Sequence, residues 1–284
     1  MIYLFASIIS STSIYIIFRW AKNYSCNLTH LITVNYVTAT IFGAVLFSPS
    51  ESLFTDQTKS WLPFALLLGI LFTGLFFLIG NSSQKAGITV TTLANKLSLV
   101  FPVLFSLLFF NEKISTLKYV GLISSFAAIM LTVYKKEIKK TNVIYILLPV
   151  SIFIGSGFAD SIVKYVQTLK TSPEQIPVFT TCVFFVAFVF ALLFSVRNGK
   201  KVLNALIPTV LLGILLGIAN FGSLYFLMNA LSSDYLESSL IFAVNNMSIV
   251  ALSAIVGYII FNEKLNKINY AGLALAFVSL YFLT

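Results

Sequence analysis

The tetrapeptide Phe110-Asn111-Glu112-Lys113 recurs as Phe261-Asn262-Glu263-Lys264, and each copy closes a long apolar run. At the same offset Tyr119, Gly121, Leu122 and Phe126 match Tyr270, Gly272, Leu273 and Phe277, and Asn95 matches Asn246. The first runs agree more weakly, with Arg19-Trp20 resembling Lys164-Tyr165. The chain therefore reads as two related halves, residues 1–134 and 143–284, joined by a basic connector at 135–142.

Working outward from the repeat, apolar runs fall at residues 2–19, 30–48, 61–80, 88–110 and 117–134. They continue in the second half at 143–163, 176–196, 206–228, 236–261 and 268–284. A helix needs about 20 mostly apolar residues to cross ~30 Å of hydrocarbon, so each run is a candidate span. Helix is the form required, because each span must satisfy its own backbone in lipid, and the alternation of a membrane barrel is absent. The expected class is an all-α polytopic membrane protein with ten transmembrane helices. Five spans per half is an odd number, so the second half lies upside down relative to the first. Inverted five-helix repeats are a signature of secondary transporters, whose sites form near the midplane.

Composition agrees. Hydrophobic residues make up 58% of the chain and charged residues only 10%, with a mean hydropathy of +0.97. A soluble domain is about a quarter charged. The net charge of +9 does not point to nucleic acid, because the basic residues lie between the apolar runs. Trp20, Trp61, Tyr134 and Tyr270 lie near run ends, where interfacial anchors belong. No cleavable leader is evident at the start of the sequence.

The two segments ending the fourth and ninth runs carry a family resemblance. The first reads Pro102-Val103-Leu104-Phe105-Ser106 through Asn111-Glu112-Lys113, then Gly121; the second reads Phe261-Asn262-Glu263-Lys264, then Gly272. The chain resembles the EamA-like ten-helix permeases of the drug/metabolite transporter superfamily, which carry a glycine-or-polar, glutamate, basic turn there. Asn111 and Asn262 stand in the polar slot, and Ser253 occupies the position aligned with Pro102. The resemblance implies a carrier for small metabolites, such as amino acids or drug-like compounds, without naming one.

Charge also suggests an orientation. Loops on the N-terminal face hold Lys59, Lys113, Lys118, Lys164 and Lys170. The opposite face holds Arg19, Lys22, Lys85, Lys135, Lys136, Lys139, Lys140, Arg197, Lys200, Lys201, Lys264 and Lys267. The positive-inside rule places the second face in the cytoplasm and both termini outside. The membrane expected is a prokaryotic plasma (inner) membrane.

The remaining basic residue, Lys96, lies inside the fourth run. A mid-membrane lysine costs about 2.5–3.5 kcal/mol on insertion scales unless it is paired or hydrated. On a helix it shares a face with Thr92, Asn95 and Leu99. It is a cavity-facing cation for a substrate carboxylate or phosphate, a structural pair with an acid or with backbone carbonyls, or a lysine that snorkels to the interface. Asp160 follows Gly155-Ser156-Gly157 in the sixth run and is a candidate proton-coupling or substrate carboxylate; its alternative is an i,i+4 pair with Lys164. Asn95 and Asn246 would be related by the repeat, and Asn245 stands beside the latter. These five, Lys96, Asn95, Asp160, Asn245 and Asn246, are the candidate substrate or ion contacts. Ser10, Ser13, Tyr15, Asn35 and Asn220 read as packing, and Glu112 and Glu263 as turn caps and interfacial pairs.

No nucleotide-binding loop, HExxH or serine–histidine–acid set is present, and His30 is the lone histidine. Cys26 and Cys182 have no metal spacing. The chain is read as neither an enzyme nor a cofactor or metal protein. The partners expected are the lipid bilayer and a small anionic or zwitterionic solute, with a coupling proton or counter-substrate. The rival readings are a channel and a non-transporting membrane scaffold.

Overall fold

The structure is a computed structural model that describes residues 2–46, 56–101, 104, 115–133, 144–197, 205–231 and 238–283. Among these residues every regular element is helical. In chain order they are α1 (Ile2–Asn23), α2 (Leu28–Leu46), α3 (Asp56–Lys85), α4 (Ile88–Leu97), α5 (Thr116–Val133), α6 (Ile144–Leu169), α7 (Ile176–Arg197), α8 (Leu206–Leu231), α9 (Ser238–Ile259) and α10 (Lys267–Leu283). A 3-10 turn, Pro173–Gln175, precedes α7.

Six of the helices, α1, α2, α3, α6, α7 and α8, are long and apolar enough to cross a membrane, and shorter apolar stretches lie in α5, α9 and α10. Their outward faces are large aliphatic side chains such as Ile123, Val196 and Ile207, each more than 70% exposed. Such surfaces belong in lipid. The protein is an integral membrane protein.

Several hydroxyls on the apolar helices are satisfied by a carbonyl one turn back, which keeps them paired away from water. Thr12 donates to the Ile8 carbonyl, Thr40 to Tyr36 and Thr73 to Gly69. Helix ends are set locally. The Asn27 side chain accepts from the Thr29 and His30 amides and starts α2. Past the end of α1, Ser25 adopts a left-handed φ of 50°.

The chain folds into two compact units. The first comprises residues 1–80 and 162–233, the second 81–161 and 234–284, so the division falls inside α3 and inside α6. Each unit draws on both halves of the sequence, and compactness divides the chain differently from the repeat.

In the first unit α8 packs against α1 and α2, and α7 against α2. Its centre is aromatic. Tyr36 and Phe18 have no exposed surface, and their rings lie 5.3 and 5.6 Å from Phe76. The Tyr36 hydroxyl donates to the Phe72 carbonyl at 2.8 Å. Asn35 and Asn220 pair through their amides at 3.3 Å. The anchor expectation fails for Trp61. It is fully buried, edge-on to Phe179 at 5.6 Å, with its indole N–H donated to Gln175 Oε1 at 3.1 Å. Its ring turns into the protein rather than outward, because Gln175 offers its polar handle a partner there.

In the second unit α10 packs along α5, and α9 along α4. These are the helices that carry the matching residues of the two halves. The Ser279 hydroxyl donates to the Gly121 carbonyl at 2.8 Å. The core is Leu93, Leu97, Val100, Ala128, Phe153, Val250, Ala276 and Leu280. Pro102, the Phe110–Lys113 turn, most of the 48–60 loop and the 135–141 connector lie outside the described residues.

Candidate functional site

The fourth span, read from sequence as the run 88–110 with a proline kink expected just after Lys96, is interrupted at that place. α4 ends at Leu97, and Ser98-Leu99 form a turn. There the hydrogen-bond pattern tightens: the Leu99 amide reaches the Lys96 carbonyl at 3.5 Å and the Phe101 amide reaches the Ser98 carbonyl at 2.9 Å. The reason is in the sequence. A proline at 102 has no N–H to give to the carbonyl four residues back, which is that of Ser98. The disturbance therefore falls one turn before the proline, beside Lys96.

This break exposes the Ser98 hydroxyl to a second helix. Ser98 Oγ lies 2.9 Å from Asp160 Oδ2 on α6 and also contacts the Asn95 carbonyl. Carboxylate and carbonyl both only accept, so the single hydroxyl proton is shared between the two. The Lys96 ammonium and the Asp160 carboxylate also act on one another electrostatically. The carboxylate of α6 thus reaches the helix break that lies two residues past Lys96.

Close approach of α6 makes the meeting possible. A Cβ on Gly157 would overlap the ring and Cβ of Phe101. Phe101 in turn packs edge-on to Phe153 with centroids 5.1 Å apart, and Phe126 also packs edge-on to Phe153, at 5.4 Å. Gly157 and Asp160 are one turn apart, so the bare glycine lets α6 lie against the break with its carboxylate turned to Ser98. Ser98 is fully buried, Lys96 and Asn95 are half-buried, and Asp160 keeps exposed surface.

Of the five residues singled out in the sequence, Asp160 reaches Ser98 through its carboxylate and Asn95 through its backbone carbonyl, and Lys96 stands two positions before Ser98 at the end of α4. Asn245 and Asn246 lie on α9, which packs along α4. They are 1% and 6% exposed, while their neighbours Met247 and Val250 join the core around Leu93 and Leu97. Ser98 itself was not singled out. The signal that could have found it is its place four residues before Pro102.

The N-terminal end of α4 is built as carefully. Gly87 adopts φ 102°, a backbone open to glycine. Glu263 Oε1 accepts the Ile88 amide at 2.6 Å, and Oε2 accepts the Thr89 amide at 3.2 Å and its hydroxyl at 2.9 Å. The second copy of the repeated tetrapeptide therefore ends α9 and caps α4.

Comparison with known proteins agrees with this architecture. The model of the EamA-like transporter family matches residues 1–134. An uncharacterised protein of Haemophilus influenzae is 26% identical over 98% of this chain and 95% of its own length. A solved crystal structure superposes with a TM-score of 0.61 over 98% of this chain and 97% of that chain, at 13% identity, which is a likeness of fold.

Proposed function

We propose, for an integral membrane protein whose residues 1–134 are those of the EamA-like transporter family, secondary transport of a small metabolite by alternating access. Ten spans in two inverted five-helix repeats, 1–134 and 143–284, form the carrier. It sits in a prokaryotic plasma membrane with both termini outside. The observation that carries the reading is the Ser98–Asp160 bond at the break after α4, two residues past Lys96. Intramembrane charges are costly and mark substrate or ion pathways. Helices interrupted in the membrane are where transporters place such sites.

The chemistry favours a solute with charge of its own. Lys96 offers a cation to a carboxylate or phosphate, and Asp160 offers an acceptor to an ammonium or a coupling proton. Because the two charges offset one another, a small anion gains less here than a zwitterion that engages both. Asn95, Asn245 and Asn246 supply neutral donors and acceptors nearby on α4 and α9.

One observation favours a different reading. An ammonium offset by a carboxylate is also what a non-transporting scaffold would use to bury a lysine. The exposed surface on Asp160 argues for transport, since a purely structural pair gains nothing from an open carboxylate in a membrane segment. Purified protein in vesicles, assayed for paired uptake and efflux across a metabolite panel, tests the proposal. Saturable flux accelerated by solute on the far side supports a carrier. Unsaturable flux indicates a channel, and no flux for any solute indicates a scaffold.

A further inference from the structure

α4 is short, broken at its C-terminal end, and met there by Asp160. Its N-terminal end is met by a second carboxylate, from a residue 175 positions away. We propose that Glu263 is a positioning residue: by clamping the first turn of α4 it fixes where Lys96 and Ser98 stand relative to Asp160. The clamp deepens the transport reading above, because it acts on the same site.

The clamp is more than a surface cap. The first amides of a helix have no partner within it, and a carboxylate at that end is favoured by the helix dipole. Glu263 takes two of those amides and the Thr89 hydroxyl, so both of its oxygens are used. Its own backbone is fixed by an N–H donated back to the Gly257 carbonyl at 2.9 Å, across the left-handed Asn262 with φ 50°. Asparagine is among the few residues other than glycine that take up this left-handed backbone readily. Space for the carboxylate is kept by two glycines: a Cβ on Gly87 or on Gly257 would come within 2.7 or 2.8 Å of a Glu263 oxygen. The asparagine, the glutamate and the two glycines thus make one device joining the end of α9 to the start of α4. α4 is ten residues long, so its two ends are only about 15 Å apart. A tilt or slide at the first turn is carried rigidly to Lys96.

Amide hydrogen exchange on the full chain in lipid nanodiscs tests this, with peptides covering residues 86–101. In Glu263→Gln an NH2 replaces one acceptor and faces donors. Exchange should then rise at least about fivefold over 88–91, the scale of a lost helix cap, and should rise also over 96–101. Thr89→Val removes the hydroxyl contact alone and should give a smaller change in the same two stretches. It serves as the second variant where Glu263→Gln folds poorly. Asn266→Ala removes a cap from α10, whose Asn269 amide it accepts at 2.9 Å, and should leave both stretches as in the wild type. Faster exchange confined to 88–91 in both variants would overturn the proposal, leaving Glu263 a local cap. An equal rise in Asn266→Ala would overturn it as well, by showing general loosening. Exchange reads the clamp with no solute present. Altered exchange with unaltered transport would therefore uphold the clamp and count against the transport role of Lys96.

Discussion

The Ser98 hydroxyl donates to the Asp160 carboxylate at 2.9 Å, joining the broken end of α4 to the middle of α6. That bond locates the break in the fourth span and the charge in the sixth at one point. It also turns two separately costly features, an interrupted helix and a membrane carboxylate, into partners.

Gly157→Ala should separate them. The added methyl would meet the Phe101 ring and Cβ, and the near-backbone atoms cannot swing aside. Overpacking of this kind costs about 1–3 kcal/mol. Thermal unfolding in detergent should show lowered stability, and Phe101→Leu in the same chain should recover part of it. Undiminished stability for Gly157→Ala alone would mean that α6 does not depend on the bare glycine.

Asp160→Asn should strand the Lys96 ammonium, and Lys96→Met should strand the carboxylate. Leaving one charge in an apolar segment without its counter-charge is typically more costly than removing both. The double variant should therefore be more stable than either single one in the same unfolding assay. Additive losses would show that the two charges are not coupled.

Much of the fold was legible in the sequence, because lipid imposes a simple rule. Runs such as 176–196 and 206–228 had to be helices, and α7 and α8 begin at the same residues. Lys96 and Asp160 stood out singly for the same reason, as charges in apolar runs. Their meeting was not legible. It depends on a break displaced one turn from Pro102, and on Gly157 admitting Phe101, neither of which has a periodicity. Trp61 was misread because position near a run end says nothing about a partner such as Gln175, far along the chain. Glu263 was read as a cap, but the helix it caps, α4, lies 174 and 175 residues away.

The inverted repeat predicts opposite sides for its two signature turns. Cysteines placed at Lys113 and at Lys264, in a chain freed of Cys26 and Cys182, should be labelled by an impermeant reagent from opposite faces. In intact cells Lys113→Cys should react and Lys264→Cys should be shielded, as should labels within 135–141. Labelling of both turns from one side would remove the inversion. Reaction at 264 with protection at 113 would keep the inversion and reverse the orientation.

The central claim is that Lys96 presents its charge to the transported solute. The decisive measurement is the transport rate of a carboxylate-bearing solute found in the vesicle panel, compared among wild type, Lys96→Met and Lys96→Arg at equal protein in the bilayer. Methionine keeps the length without the charge and should lower the rate about tenfold or more, the scale of losing a charge-assisted hydrogen bond of about 1.5–3 kcal/mol. Arginine keeps the charge in another geometry and should retain part of the activity. Wild-type transport of that solute by a stably inserted Lys96→Met protein would contradict the account.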